Sequence, residues 1–229
     1  MTLLFSFAAM AGVARAEDNP FLAPYNTPWD VPPFDKIHNE HYMPAFEKGI
    51  AGAKTEMEAI RDNKAAPTFP NTVEALEESG ELLRRVSDVF FNINDAETND
   101  SLQSVAKLVA PKLSALNDDI YLDPKLFARV KAVHDQRKKL KLTPEQDRLL
   151  TETYKEFVRG GANLKESDKK EFREINERLS VLSLKFQENN LAEANRFELV
   201  IDNQKDLAGL PQGVIDAAAD LAKQKGKEV

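Results

Sequence analysis

Few residues in this chain are suited to chemistry. Three histidines and no cysteine occur among its 229 residues, which excludes thiolate nucleophiles, disulfides and cysteine-held zinc. His38-Asn39-Glu40-His41 is the cluster nearest to a metal site. A helical zinc site of the His-Glu-x-x-His kind places its histidines at i and i+4 on one face, with the glutamate beside the first. Here the spacing is i+3, and His134 is the sole remaining histidine, so a third ligand is not identifiable. The cluster reads as polar residues at a helix start. Asp118-Asp119 and Glu77-Glu78 are adjacent carboxylates, but consecutive helical residues do not face each other, so neither is a natural acid/base dyad. Arg137-Lys138-Lys139-Leu140-Lys141 is basic enough to suggest a phosphate or acidic-lipid site. At the C-terminal, negative pole of a helix in an acidic protein it reads better as a solvated cap, with His134 pointing outward or capping a carbonyl. Neither G-x-S-x-G nor a phosphate-binding loop is present, and Gly160-Gly161 reads as a helix stop. A haem or two-metal bundle would require inward histidines or Glu-x-x-His pairs, which the sequence lacks. The residues thus assign no catalytic, cofactor-binding or metal-binding position.

Composition narrows the partners. The formal charge is −7 and 42% of residues are hydrophobic. That suffices for one sizeable core or two small ones, and an acidic chain without a basic stripe is a poor nucleic-acid binder. Residues 1–16 read as a secretory signal peptide, with an apolar run from Leu3 to Val13 and the A-x-A site Ala14-Arg15-Ala16. Eleven apolar residues are too few to span a bilayer, so a periplasmic or secreted protein with no membrane attachment after cleavage is expected. Residues 17–36 form a Pro-rich lead-in, expected to lie across the folded surface pinned by Phe21, Tyr25 and Trp29. The alternative for this arm is a docking peptide for another protein.

The elements that would position any site are helices. Phe46, Ile50, Ala53, Met57 and Ile60 share one face of a first helix ending near Asp62. The stretch from Ala66 to Asp100 organises the rest. Its Pro-Thr-Phe-Pro turn should precede a helix capped by Asn71, with Glu74 completing a capping box. Gly80 interrupts that helix, most simply as a place where another backbone comes close. Asp100 can cap the next helix, Asp123-Pro124 another, and Thr143-Pro144-Glu145-Gln146 is the clearest start signal in the chain. Asp168 should then cap the longest helix, reaching Asn195, with Phe172, Ile175, Leu179, Leu182 and Phe186 as a heptad-like stripe buried against a neighbour. Phe197 to Ile201 is short and β-branched, which suggests a strand near 197–201 without a partner in the chain. A last Ala-rich helix runs from Leu210-Pro211 to about Lys225. The expected fold is all-α, an elongated antiparallel domain of about seven helices over residues 37–229.

Several stretches carry a resemblance. PPFDKI around Phe34, PTFPNTVEALEESGELL, VFFNINDAETND and APKLSALNDDIYLDPKLFARV resemble the N-terminal region of bacterial peptidyl-dipeptidases. These belong to the zinc metallopeptidase family that includes thimet oligopeptidase, neurolysin and oligopeptidase A. The resemblance runs from about Asn19 to the end of the chain and implies one wall of a narrow channel between two largely helical halves. Short peptides would be the substrates, and C-terminal dipeptides the products. It also implies that the zinc belongs to a C-terminal catalytic half outside this chain, so that no cofactor is held here and the chain is inactive by itself. The orphan strand and weak final helix are what a part of a larger, mostly helical peptidase would show. The rival reading is a free-standing secreted helical module that binds a protein or peptide without catalysis.

Overall fold

The computed structural model describes residues 19–227, which are all-α. The signal-peptide expectation for residues 1–16 lies outside the described residues. The lead-in contains two short 3-10 turns, Pro20–Leu22 and Pro28–Asp30. Helix α1 is Asn39–Arg61, and a π-turn over Phe69–Glu74 runs into the short α2, Ala75–Glu78. Next come α3 (Glu81–Ala96), α4 (Asp100–Tyr121), α5 (Pro124–Asp135), α6 (Pro144–Arg159), α7 (Glu166–Arg196) and α8 (Gln212–Gln224). No helix among the described residues is long and apolar enough to cross a membrane.

Start signals act as local chemistry dictates. Asp123 accepts from the Lys125 and Leu126 amides, and Thr143 with Gln146 forms a reciprocal capping box. Three caps fall elsewhere than the sequence suggests. Helix α7 begins at Glu166, so Asp168 lies inside its first turn and does not cap it; its amide already donates to the Lys165 carbonyl at 2.9 Å. The turn before Pro70 is capped by Thr68, whose backbone amide donates to Asn71 Oδ1 at 2.8 Å, so Asn71 is the N3 partner and not the cap. The physical reason is that proline is tolerated in the first turn, where its missing N–H would be unbonded anyway. Asn99, one residue before Asp100, caps α4 through the amides of Ser101 and Leu102. Gly80 also plays another part. It adopts φ +71° between α2 and α3, a left-handed conformation that suits glycine, and a Cβ there would meet only Ala53 Cβ at 3.8 Å. The close backbone approach falls on Gly49 of α1, against Leu83 of α3.

The described residues divide into two compact units between Lys185 and Phe186. Within the first, one core gathers Phe21, Tyr42, Phe46, Val86, Phe90, Leu102 and Val109 from the lead-in, α1, α3 and α4. Phe90 meets the rings of Tyr42 and Phe46 edge-on, at 5.0 and 5.3 Å. A second core joins Ile60, Leu126, Phe127, Val130 and Phe157, and a third Phe69, Val73, Val133 and Leu150. Arg129, buried on α5, ties the loop before the π-turn to the third core by donating to the Asn63 and Ala65 carbonyls at 2.8 and 3.2 Å. The lead-in is pinned by Phe21, by the Arg85 guanidinium over the Tyr25 ring at 5.1 Å, and by Arg85 donating to the Phe21 carbonyl. Trp29 does not take part. It is 96% exposed, with the backbone at positive φ, so the tight turn that Pro28 starts aims the ring outward.

Helix α7 departs most from expectation. Lys169, Arg173, Asn176 and Leu184, spaced four, three and eight apart, turn toward α4 and the first core. Of the predicted stripe only Phe172 is half-buried, near Gly161; the rest faces away, with Ile175, Leu179 and Leu182 48, 54 and 48% exposed. The heptad pattern fixes which residues share a face, but polar groups anchored on α4 decide which face packs. In the second unit, Phe186 is exposed, and Lys225 and Glu198 pair at 2.7 Å. Residues 197–201 form no strand, and none exists among the described residues. β-branched residues favour a strand only where an edge is available to pair with.

Candidate functional site

An open groove of about 600 Å³ lies in the first unit, where α7 meets the ends of α1 and α4. Its lining includes Lys54, Arg61, Asp119, Asp123, Lys169 and Arg173. Asp123 Oδ1 caps α5, and its other oxygen lies 3.6 Å from Arg61. Asp119 takes Lys54 at 3.1 Å and Arg173 at 2.9 Å. Lys169 is only 7% exposed, and its Nζ donates to the Leu122 carbonyl at 2.9 Å and to Glu166 at 2.6 Å. It thereby satisfies one of the carbonyls left open at the C-terminal end of α4. Arg61, Lys54, Lys169 and Arg173 each meet a carboxylate, with Lys54 and Arg173 sharing Asp119, so these four cations are already engaged in ion pairs. Chemically the groove is a set of ion pairs that fixes the base of α7. Its exposed members contribute on the order of 0–1 kcal/mol each.

Beside the groove sits Asp118, buried and accepting from Asn176 Nδ2 at 2.6 Å. Burial pushes its carboxyl above the ordinary range, opposed by the Asn176 hydrogen bond and the Arg173 charge. Its neighbour Asp119 points to solvent-exposed cations. The adjacent carboxylates therefore have separate partners and do not form a dyad, as helical geometry requires. No sequence signal marked Lys169 or Asn176, because their partners lie 47 and 58 residues away.

The histidines are scattered. The His38 amide donates to His41 Nδ1 at 3.0 Å, closing the first turn of α1. His134 does not point outward. It stacks on Tyr154 at 4.0 Å between centroids, and burial holds its imidazole below the usual range, with Arg137 adding to the effect. Stacking covers more of the ring than a carbonyl cap would. Among the described residues no group of three or more His, Cys, Asp or Glu could hold a metal ion. The donors present do not fit zinc, because His41 Nδ1 is engaged and His134 is on a different element. The basic run forms the 3-10 turn Arg137–Lys139 after α5. After α6, Gly161 takes φ +97°, the left-handed stop expected of Gly160-Gly161.

No family model matches the sequence. Similarity to curated proteins is extensive. Dipeptidyl carboxypeptidase of Salmonella typhimurium is 42% identical over 210 residues, which is 92% of this chain and 31% of that protein. Its Escherichia coli counterpart is 41% identical over 208 residues, 91% of this chain and 30% of the relative. The chain matches a fragment of the thimet oligopeptidase and oligopeptidase A family. A probable cytosolic oligopeptidase A of Arabidopsis thaliana is 26% identical over 219 residues, 96% of the chain and 30% of that protein. The chain spans less than a third of the length of these relatives. The family region matched here is helical framework, with no metal-binding group among its described residues.

Proposed function

We propose that this chain is the N-terminal, channel-wall portion of an exported zinc-dependent peptidyl-dipeptidase, which cuts dipeptides from the C-termini of short peptides. One observation carries the reading. Identity is 41–42% to two dipeptidyl carboxypeptidases, against 24–27% to the oligopeptidase A relatives over a similar span. The apolar run ending in Ala14-Arg15-Ala16 supports a periplasmic location. Zinc, in this reading, is held by the larger part of the protein outside this chain and supplies the nucleophilic water there.

The contribution of this chain is positional. Three apolar cores and the Arg129 and Lys169 clamps hold the helices of the first unit together. A wall of that kind restricts which peptides reach the cut site and orients those that do, which lowers the entropic part of the barrier. By itself the chain supplies no nucleophile and is inactive.

A chimera tests this proposal. The matching segment of the Escherichia coli dipeptidyl carboxypeptidase is replaced by this chain, and release of dipeptides from N-terminally blocked tripeptides is measured. The chimera is expected to release them, while residues 17–229 alone release none. A folded, soluble chimera without activity would count against the assignment, as would dipeptide release by the chain alone.

A further inference from the structure

Helix α7 is packed the wrong way round for a helix that stands alone. Its polar residues Lys169, Arg173 and Asn176 are tied to α4, and its aliphatic stripe Ile175, Leu179 and Leu182 lies about half exposed on the outside. Single exposed aliphatics are ordinary on a protein surface, but a contiguous line of them marks an interaction site. The spacing of four and three is that of a seam for another helix. The residues beside the line include Glu171, Arg178 and Lys185, a mixed-charge rim of the kind that surrounds apolar interface centres.

We propose that this stripe is the docking face for the larger part of the peptidase outside this chain, presenting an aliphatic helical surface of its own. The identity of the partner rests on the peptidase reading; the existence of the interface rests on the stripe. Two observations select this occupant. The chain makes up only 30–31% of its dipeptidyl carboxypeptidase relatives, so most of such a protein lies outside it. Among the described residues, the buried apolar side chains all lie at or before Phe157, whereas exposed ones crowd the sequence from Ile175 to Leu221. Apolar cover is therefore missing on the later part of the chain, where a large partner would supply it.

The chain has no cysteine, so one introduced thiol is unique within it. Leu179→Cys, Glu177→Cys and Val130→Cys are made in the chimera described above and in the chain alone, and labelling rates are read by mass spectrometry of the thiol-bearing peptide. Glu177 is exposed and turned about 160° around the helix from Leu179. Val130 is fully buried and reports that the inserted chain is folded. In the chimera, Leu179→Cys is expected to label about a hundredfold more slowly than Glu177→Cys, a protection typical of sites that react only after opening. In the chain alone the two should label alike. Equal rates in the chimera would overturn the docking face and leave the peptidase assignment, which activity tests separately. Protection of Leu179→Cys in the chain alone that rises with concentration would make a second copy the occupant and also overturn it. Should the chimera fail to fold, Leu179→Glu in the chain alone provides the check. An unchanged urea midpoint is expected, and a clear drop would mean that the face is already covered within the chain.

Discussion

Two glycines one turn apart on α1 give a sharp test of the packing described above. Helix propensity alone favours alanine over glycine by about 1 kcal/mol at any ordinary helical position. Gly52 is such a position, since a Cβ there would meet nothing within 4 Å. Gly49 is not. A Cβ there would lie 3.0 Å from Leu83 Cα and 3.1 Å from Leu83 N. Those are backbone atoms of α3, which cannot rotate aside as a side chain would. Relief requires α1 and α3 to separate, and that movement is resisted by the Tyr42–Phe90 and Phe46–Phe90 ring contacts across the same interface. Overpacking of this kind costs about 1–3 kcal/mol, which cancels or exceeds the propensity gain. Gly52→Ala should therefore raise the urea midpoint, and Gly49→Ala should leave it unchanged or lower it. The two variants should differ by about 1–3 kcal/mol in unfolding free energy. Equal rises for both would refute the close approach of α1 to α3. A fall for Gly52→Ala would mean that its open surroundings are misplaced.

Two other measurements address α7 and its anchor. Leu150→Ala, at a fully buried position, should cost about 2–5 kcal/mol, while Leu179→Ala should stay within about 0.5 kcal/mol in the chain alone; equal urea midpoints would refute the exposed stripe. Asp118 gives a pH test: because burial raises its folded-state pKa above the unfolded value, its contribution to stability is fully present below the unfolded pKa and lost as pH rises through the folded one. Urea midpoints of wild type and Asp118→Asn, followed upward from about pH 4, should therefore diverge in that direction, with wild type losing ground; a difference independent of pH would show that Asp118 titrates normally.

Elements and their ends were largely legible in the sequence because they depend on neighbours within a turn. Thr143, Pro144 and Gln146 specify a helix start by bonds spanning three residues, and Asp123-Pro124 does the same. The stripe of α1 became core for an equally local reason, since a 3.6-residue period puts Phe46, Ala53 and Ile60 on one face. The lack of a catalytic set in the sequence reading came from residue types, and the structure adds where the histidines lie. Tertiary structure alone decided the rest. Gly49 and Gly80 look alike in sequence, yet one is required by a neighbouring backbone and the other by a left-handed turn. Trp29 and Phe21 are both lead-in aromatics, and only Phe21 found a pocket between α1 and α3. On α7 the sequence determined two faces but not which would turn inward. Buried Asp118 and the Leu122 carbonyl need partners, and Asn176 and Lys169 supply them at long range, leaving the aliphatic stripe outside. Periodicity is a property of one helix, whereas the choice of face depends on which groups elsewhere in the chain would otherwise be buried unbonded.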